Sequence, residues 1–310
     1  MTTAQKKPSA NGDRLGNGTT PLGRSVVITG AARGLGLASA IHLHKRGWRV
    51  IGAMRNPEDG LDKIRSACVA AKGDPRLIGV RLDLTDDESI SSAAKSIESE
   101  VGAPYALVHN AGVTAVGCVE EMGLDVWRDM FHTNLFGPVT LTQELLPAMR
   151  RAREGRIIVV SSAGGVRGMP AIAAYSAVKG ASERWAESMA NEVAPFGLGV
   201  SVLITGTFDT DIITDEGAPD YRGFDGPYAP VNTNLERRGR MAMRFAGKPE
   251  RFARGLERAL GAKGPYTRHA VGWDAHMLCA ANRLMPTQVM HHVTRLAMGI
   301  PRQGTAPPSQ

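Results

Sequence analysis

Tyr175 and Lys179 are the side chains whose types and spacing most directly suggest chemistry. They stand four residues apart in the segment AAYSAVKGASERWAESMANEV. On a helix this spacing puts both side chains on one face, so we expect the Lys179 ammonium to lower the pKa of the Tyr175 phenol. A shift from about 10 to about 7 corresponds to roughly 4 kcal/mol, which a cation at about 4 Å supplies at an effective dielectric of about 20. Such a phenol can exchange a proton with a carbonyl or alcohol oxygen near neutral pH.

A serine, Ser162, lies upstream of this pair at the end of the apolar run GRIIVVSS. The alternative interpretation of Ser162 is a serine that only ends a strand, and the adjacent Ser161 could be mistaken for it. The alternative interpretation of Lys179 is a lysine that is simply solvated. A tyrosine and a lysine at this spacing also occur by chance on many helices. The chemical interpretation therefore depends on a cofactor site elsewhere in the chain.

A glycine-rich turn near the start of the chain is the candidate for that site. The residues RSVVIT predict a short buried strand, TGAARGLG follows it, and LASAIHLHKRG predicts a helix. Gly30, Gly34 and Gly36 would let the backbone turn sharply and approach a pyrophosphate, whose charge the helix N-terminus would meet. Because the turn joins a strand to a helix in the first unit of an alternating series, its context favours nucleotide binding over an ordinary turn.

Together these motifs resemble the short-chain dehydrogenase/reductase family, in its compact branch, over about residues 24–210. The glycine turn matches the family's nucleotide motif, and NAG at 110–112 matches its motif after the fourth strand. The four members of its catalytic tetrad match Asn134, Ser162, Tyr175 and Lys179. The cofactor contacts implied by the resemblance are Gly30, Arg33, Gly34, Leu35, Gly36, Arg55, Asp83, Leu84, Asn110, Ala111, Gly112, Tyr175, Lys179, Gly206, Thr207 and Thr210.

The resemblance also implies a role for each member of the tetrad. Tyr175 would be the general acid or base, Lys179 would lower its pKa and hold the nicotinamide ribose, and Ser162 would orient and polarise the substrate oxygen. Asn134 would bind a water of the proton relay at a helix distortion, which the Gly-Pro pair that follows it permits. The alternative for Asn134 is a helical asparagine that points to solvent.

The end of the second strand, in WRVIGAMRNPE, bears on the choice between the two nicotinamide dinucleotides. An NAD(H) enzyme places Asp or Glu about 20 residues after the glycines to bind the ribose 2′-hydroxyl. Here Met54 takes that position, Arg55 follows it, and Arg33 in the glycine turn adds a second cation. Because arginine binds phosphate through paired hydrogen bonds, we predict NADP(H). The alternative is that both arginines are ordinary surface residues.

Two further positions carry expectations about cofactor binding. Asp83 matches the family position that meets the adenine amine, and TDDE at 85–88 predicts a capping box that would leave Asp83 free. The alternative for Asp83 is an aspartate bonded to its own backbone.

Before Gly206 the family usually has a proline, whereas this chain has Thr205. Without the proline ring, the start of the substrate loop is expected to be more mobile.

The rest of the sequence predicts an α/β fold with a doubly wound parallel sheet. The runs RVIGA, RLIGVRL, YALVH, RIIVV and VSVLI lack alternating polarity, as strands buried on both faces do, and helical segments separate them. We expect one Rossmann-type catalytic domain at 23–235, including a substrate loop at 207–234, and a basic, Met-rich helical extension of the same domain at 236–302. The polar segments 1–22 and 303–310 are expected to be disordered.

Composition excludes several classes of function. Of the 310 residues, 43% are hydrophobic, which is enough for a substantial core. Neither a secretory signal nor a membrane span is predicted, because long apolar runs are absent from the sequence. The three cysteines show no CxxC spacing and the eight histidines show no metal-ligand spacing. We therefore expect a cytoplasmic protein without disulfides or a bound metal.

The segment 236–302 contains 11 Arg and 2 Lys against 3 Glu and 1 Asp, a net charge of +9, and its methionines and leucines follow a partly amphipathic helical pattern. Three interpretations are open. The apolar residues pack on the domain or at a subunit interface while the arginines are solvated, or the segment admits a hydrophobic or anionic lipid-like substrate at a membrane surface. The third is nucleic-acid binding, against which the chain's lack of a recognisable module counts.

The sequence thus predicts an NADP(H)-dependent oxidoreductase that transfers a hydride between nicotinamide and a secondary alcohol, ketone or aldehyde. The resemblance implies a bulky hydrophobic substrate of steroid, retinoid or acyl-chain type, and a homodimer or homotetramer. The Gly-, Pro- and Asp-rich composition of 207–234 predicts a flexible lid that carries Phe208, Tyr221, Phe224 and Tyr228. No nucleic-acid partner is expected. The alternatives are an NADP(H)-binding sensor or scaffold without turnover, and a lipid carbonyl reductase at a membrane surface.

Overall fold

A parallel β-sheet forms the centre of the molecule. The computed structural model describes residues 23–210 and 218–305, and in this part of the chain seven strands are present. The strands are β1 Ser25–Thr29, β2 Arg49–Met54, β3 Leu77–Arg81, β4 Ala106–His109, β5 Gly155–Ser162, β6 Leu198–Thr205 and β7 Tyr266–Val271. They pair in the order β3-β2-β1-β4-β5-β6-β7, and every pair is parallel.

Helices cover both faces of this sheet. They are α1 Gly34–Lys45, α2 Pro57–Cys68, α3 Asp87–Val101, α4 Leu124–Phe131, α5 Gly137–Ala152, α6 Ala163–Val166, α7 Ala173–Val193, α8 Ala229–Met243, α9 Pro249–Leu260, α10 Trp273–Leu284 and α11 Thr287–Met298. A π-helical turn, His132–Phe136, joins α4 to α5, and a 3₁₀ turn, Ala194–Phe196, follows α7. One core lies between the sheet and α3, α5 and α7, and the other lies between the sheet and α1, α2 and α9. The predicted doubly wound α/β fold is confirmed.

The strands form because their side chains are apolar on both faces of the sheet. Val26, Val27 and Ile28 of β1 are fully buried, and so are Val200 and Val202 of β6. Full burial of such a side chain contributes about 1.5–3 kcal/mol, which explains why these runs show no alternation of polar residues. All six strands that the sequence predicts are present.

The chain reverses direction across the sheet between β1 and β4, which lie side by side. β1 leads outward to β2 and β3, whereas β4 leads the other way to β5, β6 and β7. Ligands of open α/β sheets bind in the crevice that this reversal creates at the carboxyl ends of the strands. The glycine turn, the NAG motif and Ser162 all follow the carboxyl ends of these strands.

The prediction of a purely helical extension at 236–302 is wrong in part. Tyr266–Val271 forms β7, which pairs with β6 and is an edge strand of the sheet. Helix α9 contributes the fully buried Phe252 and Leu256 to the same core as α1. The segment predicted as an extension therefore contributes to the core of the domain, as an extension of the same domain would, but it does so through a strand as well as through helices. Residues 1–22 and 306–310, and with them most of the predicted disordered ends, lie outside the described residues, as do residues 211–217 of the predicted substrate loop.

The predicted capping box at 85–88 is also wrong. Helix α3 begins at Asp87, and the residue that caps it is Asp86, whose carboxylate accepts hydrogen bonds from the Glu88 and Ser89 N–H groups at 3.0 and 3.2 Å. An aspartate caps a helix as well as a threonine does, so Thr85 is released to bond with Asp83 instead.

Within the described residues, no helix combines the length and the apolar character that crossing a bilayer requires. The same residues hold no group of three or more potential metal-binding side chains.

Candidate active site

A cavity of about 1260 Å³ lies along the carboxyl ends of the strands. It runs from the end of β2, past the glycine turn, to helices α8, α10 and α11. All predicted site residues except Gly36 line it, namely Gly30, Arg33, Gly34, Leu35, Arg55, Asp83, Leu84, Asn110, Ala111, Gly112, Asn134, Ser162, Tyr175, Lys179, Gly206, Thr207 and Thr210. Residues that stand far apart in the sequence are thus brought together at one site.

The glycine turn between β1 and α1 has the geometry of a dinucleotide cradle. Gly30 and Gly34 have φ of 69° and 52°, a region that L side chains rarely adopt. A Cβ on Gly36 would lie 2.2 Å from the Gly30 carbonyl oxygen, so Gly36 lets α1 pack closely beneath the turn without lining the cavity. No side chain caps the N-terminus of α1, and its first turn holds no acidic residue. Its N–H groups are therefore available to a pyrophosphate.

The NAG motif is tied to the end of β1 by Thr29, a residue that the sequence analysis did not single out. The Thr29 hydroxyl accepts hydrogen bonds from the N–H groups of Asn110 and Ala111, both at 3.0 Å. The Asn110 side chain donates to the Thr29 carbonyl at 2.9 Å. A Cβ on Gly112 would lie 2.5 Å from Asn134 Oδ1, so this motif passes directly beside the tetrad.

Asp83 is hydrogen-bonded to its neighbour Thr85 through one of its two carboxylate oxygens, and its role as a cofactor contact stays a prediction. Its Oδ1 accepts hydrogen bonds from the Thr85 N–H at 3.0 Å and from the Thr85 hydroxyl at 2.7 Å. These bonds lower the pKa of Asp83, with a smaller contribution from the charge of Arg55. The alternative of an aspartate bonded to its own backbone is what the structure has, although Asp83 still lines the cavity.

The end of the cavity near β2 is rich in cations. Met54, at the position of an NAD-binding carboxylate, is buried beneath α2, where a Cβ on Gly60 would collide with its sulfur. Arg33 and Arg55 line the cavity, and so does Lys63 of α2, which the sequence analysis missed. None of these three cations forms a salt bridge within residues 23–210 and 218–305. The carboxylate of Asp59 lines the same end, where it accepts a hydrogen bond from Asn56 at 2.6 Å.

Tyr175, Lys179 and Ser162 meet at the middle of the cavity. Tyr175 and Lys179 lie one turn apart on α7, and Ser162 is the last residue of β5. Ser162 lies close enough to Tyr175 for its side chain to lower the pKa of the phenol, and its Oγ accepts a hydrogen bond from the Gly164 N–H at 3.3 Å. The Lys179 ammonium lies 5.7 Å from the centre of the Tyr175 ring and donates to the Val160 carbonyl at 3.0 Å.

The expected lowering of the Tyr175 pKa is not found. Burial raises the pKa of Tyr175, and the Ser162 side chain opposes this only in part. Lys179 is itself buried, which lowers its own pKa to about 8, although the nearby Glu183 carboxylate raises it. The spacing on α7 gives the attraction between the two groups, whereas the cost of burying them depends on the fold. In this structure the phenol is protonated at neutral pH, which is the form that gives a proton.

Glu183 is a buried carboxylate that the sequence analysis missed, although it stands four residues after Lys179. It is only 1% exposed. Its Oε1 accepts from the Ser161 hydroxyl at 2.7 Å, and its Oε2 accepts from Arg268 of β7 at 2.6 Å. The Ser161 hydroxyl is thus engaged by Glu183, although Ser161 also lines the cavity, and Ser162 is the serine that influences the pKa of Tyr175.

Asn134 lies in the π-helical turn between α4 and α5, so the predicted helix distortion at this residue is confirmed. It is buried, with its side-chain amide donating to the carbonyls of Val113 and Met130 at 3.0 and 2.9 Å. Its Oδ1 accepts from the Val113 N–H at 3.1 Å. The Asn134 side chain therefore holds the wall of the cavity, and its main-chain carbonyl accepts from Ser182 at 3.3 Å.

The turn after β6 is hydrogen-bonded at the position where the family has a proline. The Thr205 hydroxyl donates to the Ser161 carbonyl at 2.9 Å, and the Gly206 N–H donates to the Val271 carbonyl at 2.9 Å. These bonds constrain the start of the substrate loop in place of a proline ring. Farther along, the Thr210 side chain lies against Gly34 of the glycine turn.

Of the four aromatic residues of the predicted lid, only Phe208 lines the cavity. Phe208 lines it but belongs to the core, where its ring packs edge-on against Phe252 at 6.0 Å. Tyr221, Phe224 and Tyr228 are not among the lining residues. The apolar wall at this end comes instead from the C-terminal helices and the residues beside them, namely Leu235, Met241, Ala242, Phe245, Trp273, Leu278, Ala297 and Met298.

Comparison with known proteins places the chain among similar oxidoreductases. A family model described as short chain dehydrogenase matches residues 24–220. The chain is 30% identical over 276 residues to a 3-ketodihydrosphingosine reductase of Bacteroides thetaiotaomicron, covering 89% of this chain and 98% of that protein. It is 30% identical to retinol dehydrogenase 5 of Homo sapiens over 90% of each chain. The crystal structure of a short-chain dehydrogenase from Streptomyces avermitilis superposes with a TM-score of 0.76 at 31% identity, covering 91% of this chain and 100% of that one.

Proposed function

Because the chain belongs to the short-chain dehydrogenase/reductase family, we propose that it is an NADP(H)-dependent enzyme that interconverts a bulky hydrophobic ketone and its secondary alcohol. The observation that carries the proposal is the arrangement of Ser162, Tyr175 and Lys179 in the same cavity as the glycine turn. Burial raises the pKa of Tyr175, so at neutral pH the phenol holds the proton that reduction of a carbonyl group requires.

Each of the three side chains has a defined task in this reaction. When bound, the nicotinamide ring supplies a hydride to the carbonyl carbon, or accepts one in the reverse direction. Ser162 donates a hydrogen bond to the carbonyl oxygen and holds it near Tyr175. The Tyr175 hydroxyl gives its proton to that oxygen, which completes the alcohol. The Lys179 ammonium stabilises the phenolate that remains.

In our proposal, Asn134 holds a water molecule that connects Lys179 and Tyr175 to solvent. Its side chain bonds to Val113 and Met130, and both hydrogens of its amide nitrogen are used in these bonds. Its main-chain carbonyl, which already accepts from Ser182, has a second lone pair for a water molecule. Such a water would return a proton to the Lys179–Tyr175 pair after each turnover.

The cations around the end of β2 support NADP(H) over NAD(H). Arg33, Arg55 and Lys63 have no carboxylate in salt-bridge contact in the described part of the chain, and the carboxylate that would favour NAD(H) is replaced by the buried Met54. A 2′-phosphate would supply the missing negative charge.

The apolar wall from the C-terminal helices supports a hydrophobic substrate. Leu235, Phe245, Trp273, Leu278 and Met298 line the outer end of the cavity. The names of two similar proteins denote substrates with long hydrocarbon parts, 3-ketodihydrosphingosine and retinol. The test is a set of ketones of increasing chain length, monitored by oxidation of NADPH. We expect kcat/KM to rise with chain length; NADPH binding without turnover of any ketone or alcohol would favour the sensor alternative.

The pH dependence of reduction is expected to follow the proton on Lys179. Burial lowers the pKa of Lys179 to about 8, so the ammonium that stabilises the phenolate is present below that pH and is lost above it. We expect kcat/KM for reduction to be constant from about pH 6 to about 7.5 and to fall above about pH 8. Alcohol oxidation needs deprotonated Tyr175, whose pKa is raised, so its optimum should be more alkaline. Steady-state rates in both directions measure this, and a reduction rate that increases from pH 8 to 9 would contradict it.

We further propose that the outer end of the cavity contacts anionic lipid. Three of the cavity-lining residues are large, apolar and exposed, namely Met241, Phe245 and Trp273. Helices α10 and α11, which also line the cavity through Leu278 and Met298, expose Met277, Leu284 and Leu296. Exposed Arg237, Arg238 and Arg244 accompany these residues on or next to α8. An apolar surface flanked by cations suits the boundary between acyl chains and anionic headgroups.

Vesicle flotation tests this contact. Leu284 is 81% exposed, and L284E puts a negative charge where lipid would be. We expect the chain to float with vesicles of phosphatidylglycerol but not of phosphatidylcholine. We expect L284E to reduce the partition coefficient by about fivefold, since one charge near the surface is worth about 1 kcal/mol. V69E is the control, because Val69 is also highly exposed, at the end of α2, and does not line the cavity. Equal binding of all three proteins would overturn the proposal.

A further inference from the structure

The carboxylate of Asp274 holds the backbone of the turn after β6. Asp274 is the second residue of α10, and its Oδ2 accepts a hydrogen bond from the Thr207 N–H at 2.6 Å. Its Oδ1 accepts from the Ala275 N–H at 3.0 Å. The residue is 67 positions away from Thr207 in the sequence, so this bond joins the C-terminal helices to the cofactor cavity.

Two glycines allow the carboxylate to reach this position. A Cβ on Gly206 would lie 1.8 Å from Asp274 Oδ1, and a Cβ on Gly272 would lie 2.7 Å from the same oxygen. Gly272 also has φ of 109°, which L side chains rarely adopt. The turns after β6 and β7 are thus in backbone contact with one carboxylate between them, and the Gly206 N–H bond to the Val271 carbonyl at 2.9 Å strengthens the junction.

This junction lies next to the reacting groups. In the sheet register Thr205 is paired with Ser162 on one side and with Val271 on the other. Gly206, Thr207 and Asp274 all line the cavity that Tyr175 and Lys179 line. A carboxylate in the first turn of a helix is itself stabilised by the helix dipole, so Asp274 is a firm support for the turn.

We propose that Asp274 is a positioning residue for hydride transfer. Its carboxylate holds the N–H of Thr207 and so holds the wall of the cavity beside Ser162. This wall in turn would set the distance between the nicotinamide end of the cofactor and the substrate oxygen. Asp274 takes over, from another part of the chain, the constraint that a proline before Gly206 would give. The expected loss of kcat rests on the proposed function, whereas the expected loosening of the turn does not.

Three variants of Asp274 test the proposal. D274A removes the acceptor, D274N retains an oxygen acceptor without the charge, and D62A on α2 is the control, since Asp62 is exposed and away from the cavity. In the protein without cofactor, we expect amide hydrogen exchange of residues 205–209 to become at least about tenfold faster in D274A only. In turnover, we expect kcat of D274A to fall by about 10- to 100-fold, as for small misplacements of reacting groups, with D274N recovering most of the loss.

The outcome separates a positioning role from a merely structural one. A structural role would lower Tm and the active fraction of D274A while leaving kcat per folded molecule and local exchange unchanged, and that result would overturn the proposal, as would equal losses in D274A and D274N. If D274A does not fold, D274L, which keeps the volume without the acceptor, takes its place. If the wild-type chain turns over no substrate, the proposed function fails, while the exchange of residues 205–209 still decides whether Asp274 holds the turn.

Discussion

Replacing Tyr175 with phenylalanine is expected to lower kcat for ketone reduction by about 10²- to 10⁴-fold, the range for loss of a general acid. The change removes only the hydroxyl and leaves the ring, which packs against a small core cluster beside α4. The dissociation constant for NADPH should therefore change by less than about threefold. Stopped-flow turnover and NADPH fluorescence titration measure the two quantities.

The control for this variant is Y228F. Tyr228 also loses a hydroxyl, which bonds to Glu120 at 2.8 Å, but it does not line the cavity. Its kcat should stay within about twofold of that of the wild type. If Y175F retained more than about a tenth of the wild-type kcat, Tyr175 would not be the proton donor.

The double variant R33S/R55S is expected to raise KM for NADPH by about 100-fold or more and to leave KM for NADH nearly unchanged. Each charge-assisted hydrogen bond to a phosphate contributes about 1.5–3 kcal/mol, and both guanidinium groups lie in the cavity without a carboxylate in salt-bridge contact among the described residues. The remaining cation, Lys63, should keep a weak preference for NADPH. Initial rates with each dinucleotide measure the effect.

Arg65 provides the matched control for these arginines. It lies on α2 but pairs with Asp62 at 2.9 Å and does not line the cavity. R65S should leave both Michaelis constants within about twofold of the wild-type values. Equal KM values for NADH and NADPH in the wild-type chain would refute the cofactor assignment itself.

The parts of the site that the sequence predicts correctly depend on local patterns. Gly30 and Gly34 form a turn whose geometry follows from the strand before it and the helix after it. The spacing of Tyr175 and Lys179 on a helix places both in the cavity. The distortion at Asn134 is likewise confirmed, as a π-helical turn.

The parts that could not be predicted depend on contacts between distant segments. Asp274, Glu183 and Lys63 act through neighbours that only the folded chain brings near them, and Thr29 joins β1 to the NAG motif in the same way. Strand β7 was missed because its residues, YTRHAV, include polar side chains that an edge strand tolerates.

The error in the pKa of Tyr175 has a different physical origin. A sequence gives the sign of the charge on Lys179 but not the depth of either group, and burial acts against the charged form of both. The same limit applies to Asp83. Because Asp86 caps α3, Thr85 is available to bond with Asp83, and the sequence does not show which of the two residues forms the cap.

The most direct measurement of the central claim uses NADPH that carries deuterium at nicotinamide C4 on the transferred face. With a long-chain ketone that the enzyme reduces, we expect the alcohol to gain one deuterium at the carbinol carbon, as seen by mass spectrometry, and the yield to fall with Y175F in proportion to its kcat. An alcohol formed without deuterium from either C4-labelled face, or no alcohol from any ketone while NADPH binds, would contradict the account.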